Sequence, residues 1–243
     1  MTFKNKNLEQ QLLQTLQQSL IVSCQPVPDG PMDHDDMVLA MAQAAVAGGA
    51  KGLRIEGASR VRLVAQHCRV PIVGIIKRDL SDSEVRITPY LEDVKALADA
   101  GALIIAFDGT DRVRPVPALQ LLDEIHRHGC LAMADCADVS TGVELSQHGC
   151  TFIGSTLSGY LGEQTPAEPD LLLVQQLSAQ GIHVIAEGRY NTPALASRAI
   201  QLGAMAVTVG SAITRLEHIT AWFVQSVQSV QSVENVQSVE SAS

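Results

Sequence analysis

Short apolar stretches alternate with longer stretches of helical periodicity along most of this 243-residue chain. The apolar stretches, such as PIVGII at 71–76 and LAMA at 131–134, are continuous runs rich in β-branched and small residues. Such runs are typical of strands that are buried on both faces of a sheet. The pattern predicts an unbroken series of strand–helix units, and this alternation indicates a parallel sheet.

Eight such units are present in the pattern. The predicted strands are 20–24, 52–55, 71–76, 103–107, 131–134, 151–153, 183–186 and 206–209. The predicted helices are 32–47, 59–67, 89–100, 116–128, 139–148, 170–180, one capped by Thr192 with Pro193 at its first position, and one that begins at Gly210-Ser211. Eight units favour closure into a (β/α)8 TIM barrel. An open, doubly wound sheet is the alternative, but no G-x-G-x-x-G follows the first strand.

The two ends of the chain stand outside this series. Leucines at helical spacing over 8–20 predict an N-terminal helix, within 1–19, that covers the bottom of the barrel. The last twenty residues, 224–243, repeat the motif VQS. Valines at every third position drift around a helix, so they form only a weak stripe. A low-complexity, frayed or disordered tail is favoured over an extension of the last helix that touches a partner subunit. We therefore expect one barrel domain, 1–223, followed by a tail.

Composition narrows the classes of function. The net charge is -9 without a basic run, which argues against nucleic acid or an anionic membrane surface as a partner. No stretch approaches the roughly 20 apolar residues that span a bilayer, and the N-terminus lacks the apolar core of a signal peptide. Five cysteines without C-x-x-C spacing suggest reduced thiols of a cytoplasmic protein. The acidic residues at 33–36 resemble a metal cluster, but their place in the first turn of a helix favours dipole complementation instead.

Polar side chains mark the carboxyl ends of the predicted strands, which meet at one mouth of a barrel. They are Gln25, Arg54 with Glu56, Lys77 with Arg78, Asp108, Asp135, Glu187 with Arg189, and Ser211 with Arg215. Cations within strands are costly to bury without a partner, so a structural ion pair such as Arg54 with Glu187 is one interpretation. The whole set facing one end favours an active site.

The last strand–helix unit predicts a place for a phosphate group. Gly210-Ser211 lies where a buried strand ends and a helix begins, which presents free backbone N–H groups and a positive dipole end. The alternative is a tight turn and cap alone. A lysine near such a seat either forms a Schiff base or accepts a proton. From the residues, we predict a barrel enzyme that acts on a sugar phosphate through one of these two chemistries.

Nine segments, taken together, carry a specific resemblance. They are IVSCQPVP (21–28), LRIEG (53–57), PIVGIIKRDL (71–80), VRITPY (85–90), FDGTDRVRP (107–115), MADC (133–136), GSTLSGY (154–160), AEGRYNTP (186–193) and VTVGSAITRLEHIT (207–220). In this order they closely resemble the bacterial N-acetylmannosamine-6-phosphate 2-epimerases. The resemblance implies a TIM barrel of the ribulose-phosphate-binding type, without cofactor or metal. It also implies interconversion of N-acetylmannosamine 6-phosphate and N-acetylglucosamine 6-phosphate in sialic acid breakdown.

The resemblance also assigns roles to individual residues. It makes Lys77 the group that moves the C2 proton and Glu187 its partner. The residues that match the sugar site are Gln25, Arg54 and Asp135, and those that match the phosphate end are Gly188, Arg189, Gly210, Ser211 and Arg215. Family members are often dimers through the C-terminal helix, although the VQS repeat departs from their usual ending. A lysine-dependent aldolase or synthase and a non-catalytic barrel scaffold remain as alternatives.

The protonation state of Lys77 is left open by the sequence. A lysine at its ordinary pKa of about 10.4 is protonated at pH 7 and accepts no proton. Burial and a neighbouring Arg54 or Arg78 would lower the pKa of Lys77, whereas a close Glu187 would raise it.

Overall fold

The eight strands form a closed parallel barrel in chain order, and the last strand pairs with the first. The computed structural model describes the backbone of residues 3–162 and 164–240 and the side chains of residues 6–162 and 164–229. The strands are β1 (Ser19–Ser23), β2 (Gly52–Glu56), β3 (Ile72–Ile75), β4 (Ile104–Asp108), β5 (Leu131–Asp135), β6 (Phe152–Gly154), β7 (Val184–Glu187) and β8 (Ala206–Val209). The predicted TIM barrel is confirmed.

Helices follow the strands and form the outer layer. They are α1 (Phe3–Leu16), α2 (Asp35–Ala47), α3 (Ala58–His67), α4 (Leu91–Ala100), α5 (Ala118–Arg127), α6 (Val139–Gln147), α7 (Leu171–Ser178), α8 (Pro193–Gln201), α9 (Ser211–Thr214) and α10 (Leu216–Glu240). The predicted start of α8 is confirmed, because the Thr192 side chain accepts a hydrogen bond from the backbone N–H of Leu195.

The N-terminal helix closes the bottom of the barrel, as its leucine pattern predicts. Leu12 and Leu16 are buried and belong to the apolar cluster that fills the barrel interior, together with inward-facing residues such as Ile104. The predicted range 8–20 was wrong at its end, because the chain turns at Gln18, with a φ of 51°, and Leu20 lies in β1.

The cysteines are packing residues of the barrel. Each of the five is buried and free of a disulfide. Burial raises the pKa of Cys24 and Cys150 to about 12 and that of Cys130 to about 11. These thiols therefore stay protonated and unreactive at neutral pH.

The C-terminal repeat continues α10 as a helix as far as Glu240. The repeat therefore extends the last helix, which is the alternative that the sequence analysis favoured less. The last three residues, 241–243, lie outside the described part. The division into a barrel, 1–223, and a separate tail stays a prediction. No helix among the described residues has the length and apolarity to cross a bilayer.

Candidate active site

A cavity of about 510 Å³ opens at the carboxyl ends of the strands. Side chains alternate between the two faces of a strand, so the polar residues at the strand ends point into the same space as the apolar residues below them. The predicted site residues that line the cavity are Gln25, Arg54, Lys77, Glu187, Gly188, Arg189, Gly210, Ser211 and Arg215. Of the other polar residues predicted at the strand ends, Asp108 also lines the cavity, whereas Asp135, Glu56 and Arg78 do not.

Asp135 lies beneath the cavity and forms its charged floor with Arg54. Arg54 Nη2 donates to Asp135 Oδ2 at 2.6 Å, and Arg54 Nη1 donates to Glu187 Oε2 at 2.9 Å. Only 2% of the Arg54 side chain and none of the Asp135 side chain is exposed. Thr156 also donates a hydrogen bond to Asp135. The structural ion pair that the sequence analysis weighed against a site is thus present within the site.

Lys77 follows β3 and reaches the cavity with its amino group near Glu56. Its Nζ lies 3.4 Å from Glu56 Oε2. Burial lowers the pKa of Lys77, the negative charge of Glu56 opposes that effect, and the positive charges of Arg54 and Arg215 add to it. The net result is a pKa below the ordinary value of 10.5, so burial and neighbouring cations prevail over the carboxylate.

The structure answers two questions about the surroundings of Lys77 that the sequence left open. The acidic group in its salt bridge is Glu56, whereas Glu187 forms its salt bridge with Arg54. Arg78 turns away from Lys77 and binds Asp93 in the first turn of α4 at 2.5 Å. Adjacent residues of an extended segment point in opposite directions, which separates the side chains of Lys77 and Arg78.

Glu187 has a raised pKa at the end of β7. Burial raises it to about 7, and the charge of Asp135 adds to this, while Arg54, Lys77 and a hydrogen bond with Thr208 oppose it. A carboxyl group with a pKa near neutrality is able to act as an acid at the pH at which most enzymes operate. The pKa of Lys77 is lowered and that of Glu187 is raised, and these are the directions that favour a neutral base and a neutral acid in one cavity.

The cavity wall at β8 consists of Gly210, Ser211 and Arg215. Gly210 precedes the first turn of α9, where backbone N–H groups have no intrahelical partner. Arg215 Nε donates to the backbone oxygen of Gln25 at 3.0 Å. The Arg215 guanidinium makes no other hydrogen bond to the described residues. Its terminal amino groups are therefore available to an anionic ligand.

Arg189 is bound to the loop between β6 and α7. Its Nη1 and Nε donate to the backbone oxygens of Ser158 and Glu168, each at 2.8 Å. Its guanidinium also stacks on the Tyr160 ring, 4.9 Å from the ring centroid. Arg189 therefore holds this loop against the cavity, and its predicted contact with phosphate stays a prediction.

The sequence analysis missed several residues that line the cavity. They are Ser23, Glu84, Arg86, Arg112, Thr156, Tyr160 and Thr208. Strand alternation could have identified Ser23 and Thr208, which share a face with Gln25 and Gly210. The position of Arg112 depends on the conformation of the loop after β4, and strand alternation does not predict it. There Arg112 Nη2 donates a hydrogen bond to Asp108 at 2.6 Å.

Comparison with known proteins relates this geometry to one family. A family model described as "Putative N-acetylmannosamine-6-phosphate epimerase" matches residues 38–229. The chain belongs to this family. Among curated relatives, a Salmonella typhimurium protein named "Putative N-acetylmannosamine-6-phosphate 2-epimerase 1" is 61% identical over 222 residues, which cover 89% of this chain and 98% of the relative. A Proteus mirabilis protein of similar name is 61% identical over 208 residues, which cover 86% of this chain and 90% of the relative.

A solved structure from the same family shares the barrel. The N-acetylmannosamine-6-phosphate 2-epimerase from Clostridium perfringens superposes with a TM-score of 0.85 at 38% identity, covering 88% of this chain and 95% of that chain. Lys77, Glu187 and the β8 wall lie inside the region that matches the N-acetylmannosamine-6-phosphate epimerase family, whereas Gln25 precedes it.

Proposed function

We propose that this protein is an isomerase that interconverts N-acetylmannosamine 6-phosphate and N-acetylglucosamine 6-phosphate, a step of sialic acid breakdown. The observation that carries the proposal is that two groups suited to proton transfer and a candidate phosphate site line one cavity. Lys77, whose pKa is lowered, and Glu187, whose pKa is about 7, line the same cavity as Gly210 and Ser211. Membership in the epimerase family supports the choice of substrate.

The reaction begins with removal of the C2 proton. This proton is acidic only when C1 is a carbonyl carbon, so the reacting form of the sugar is the open-chain aldehyde. The neutral amine of Lys77 takes the proton, and the electron pair of the C2–H bond moves toward the C1 oxygen. Glu187 donates its proton to that oxygen, which gives a neutral 2-acetamido enol, while Lys77 becomes an ammonium and Glu187 a carboxylate.

The second half of the reaction returns a proton to the opposite face of C2. Rotation about the C2–C3 bond presents that face to Lys77, while the phosphate end of the substrate stays bound. The Lys77 ammonium then delivers a proton to C2, and Glu187 recovers its proton from the C1 oxygen. One lysine thereby serves both faces, and the enzyme ends in its starting protonation state.

Binding groups at the two ends of the cavity hold the substrate during this rotation. We assign the phosphate to Gly188, Arg189, Gly210, Ser211 and Arg215, because charge-assisted hydrogen bonds from arginine suit a phosphate dianion. Gln25 and Arg54 contact the sugar, and the Nε of Arg54 is buried without a hydrogen-bond partner among the described residues. Asp135 acts through Arg54, whose guanidinium it fixes.

The proposed mechanism predicts a bell-shaped pH profile of kcat/KM. With Lys77 and Glu187 both protonated no base is available, and with both deprotonated no acid is available, so the state with one proton is active. We expect kcat/KM to rise as pH increases through about 7, where Glu187 titrates. It should fall again at the lowered pKa of Lys77. Glu187→Gln should remove the rise near pH 7, and an unchanged rise in this variant would contradict the assignment.

Conversion of purified substrate tests the activity. We expect N-acetylglucosamine 6-phosphate to form from N-acetylmannosamine 6-phosphate, and much less product from N-acetylmannosamine that lacks the phosphate. Borohydride treatment during turnover should leave the mass of the peptide containing Lys77 unchanged, because proton transfer forms no Schiff base. A reduced adduct on Lys77 would identify a lysine-dependent aldolase or synthase, and a folded protein without conversion would indicate a scaffold.

We further propose that the chain forms a homodimer through α10 in the cytoplasm. Leu216, Phe223 and Val227 lie on one face of this helix, and 61%, 70% and 64% of their surfaces are exposed. A contiguous apolar stripe of this kind is typical of an interaction surface. Light scattering should give the mass of a dimer for the chain and of a monomer for the double variant Phe223→Glu, Val227→Glu. Equal masses for the two proteins would exclude this interface.

A further inference from the structure

Three carboxylates and two cations divide into two separate groups at the carboxyl ends of the strands. Arg54 and Glu56 lie two residues apart on β2 and therefore point to the same side of the strand. Arg54 takes Asp135 and Glu187 as partners. Glu56 is left beside Lys77, with its Oε2 at 3.4 Å from Lys77 Nζ.

The register of the barrel sets this second pair. Glu56 pairs with Ile75 between β2 and β3, and Lys77 follows Ile75 by two residues on the same side. A bridge between Lys77 and Ile87 fixes the backbone of Lys77 against the loop that precedes α4. The Lys77 side chain itself is a flexible chain of four carbons, so its amino group depends on a partner for a defined position.

We propose that Glu56 is the positioning residue of Lys77, whose amino group it holds at the cavity wall during proton transfer. The inference deepens the proposed epimerase function and rests on it. Glu56 touches neither C2 nor the C1 oxygen in this account. It acts through Lys77, by fixing where the amino group stands and by stabilising its protonated form.

The charges that face Lys77 support a separate task for Glu56. Arg54 from β2 and Arg215 after α9 disfavour the ammonium form of Lys77, and Glu187 from β7 is neutral for part of the time because its pKa is about 7. A carboxylate that offsets the two arginines is needed when Lys77 carries the substrate proton. Glu56 is the carboxylate placed for this purpose, with its Oε2 3.4 Å from Lys77 Nζ.

Competitive acylation of amino groups measures the effect without substrate. The purified chain and Glu56→Gln are treated with acetic anhydride over a range of pH, and mass spectrometry follows the peptide that contains Lys77. Loss of an opposite charge at this distance should move the midpoint for Lys77 about one pH unit lower. In turnover, the alkaline limb of kcat/KM should move with it, and kcat should fall about 10- to 100-fold while KM changes little.

Two further variants separate positioning from a general loss of charge. Glu92→Gln removes an exposed carboxylate at the start of α4 and should leave the midpoint and kcat unchanged. Glu56→Asp keeps the charge on a shorter side chain. The acylation midpoint of Lys77 should therefore stay close to that of the wild type, while kcat should fall. It also serves as the second variant if Glu56→Gln does not fold.

An unchanged Lys77 midpoint in Glu56→Gln, or a kcat equal to that of the wild type, would overturn the inference. A wild-type chain that does not convert N-acetylmannosamine 6-phosphate would instead overturn the proposed function, whatever the acylation profile shows.

Discussion

Replacement of Lys77 by alanine is expected to lower kcat about 10²- to 10⁴-fold, the usual contribution of a general base. Alanine leaves no amine at the end of β3. Glu56 does not line the cavity, and Arg54 is a cation, so neither accepts the C2 proton in place of Lys77. Initial rates of N-acetylglucosamine 6-phosphate formation measure the loss. KM should change less than kcat, because the phosphate end of the cavity is untouched.

Lys95 provides the matched control for this substitution. It is an exposed lysine on α4 that pairs with Asp99, and Lys95→Ala should keep the wild-type rate. Retention of a rate within about tenfold of wild type in Lys77→Ala would assign the base to another residue.

Asp135→Ala is expected to lower the free energy of unfolding by about 3–5 kcal/mol. Arg54 is almost wholly buried, and Asp135 accepts hydrogen bonds from both of its terminal nitrogens. Removal of this partner leaves the buried guanidinium with Glu187 as its one remaining ion-pair partner among the described residues. Urea unfolding followed by circular dichroism measures the change, and activity should fall together with stability.

The exposed pair of Lys95 and Asp99 shows what the same change does at the surface. Asp99→Ala removes an anion from a pair in which both side chains are more than half exposed. Such pairs contribute little to stability, so its urea midpoint should match that of the wild type. If Asp135→Ala also unfolded at the wild-type midpoint, the charged floor would have no structural role.

The barrel was predictable because its signals are local. Runs such as PIVGII identify buried strands without knowledge of the rest of the chain, and Thr192-Pro193 marks the start of α8. Lys77 was predictable for a similar reason, since it directly follows an apolar strand. Which strand ends face each other then follows from parallel closure of eight units.

The pairing of charges across the barrel was only partly predictable, because the sequence offered Arg54 with Glu187 as one interpretation and gave no sign that Glu56 is the partner of Lys77. Arg54 and Glu187 are 133 residues apart, and only the closed sheet decides that they meet at 2.9 Å while Lys77 meets Glu56. Loop conformation also carries no simple pattern. Arg189, which binds the backbone of Ser158, has a φ of 63°, a conformation that few residues other than glycine adopt.

The most direct test of the account is proton NMR of N-acetylmannosamine 6-phosphate with the enzyme in D2O. Lys77 is partly exposed, so its amino hydrogens exchange with solvent between removal and return of the C2 proton. The account predicts N-acetylglucosamine 6-phosphate that carries deuterium at C2, and no such product with Lys77→Ala. Absence of product from the folded wild-type protein, or product that retains only protium at C2, would contradict it.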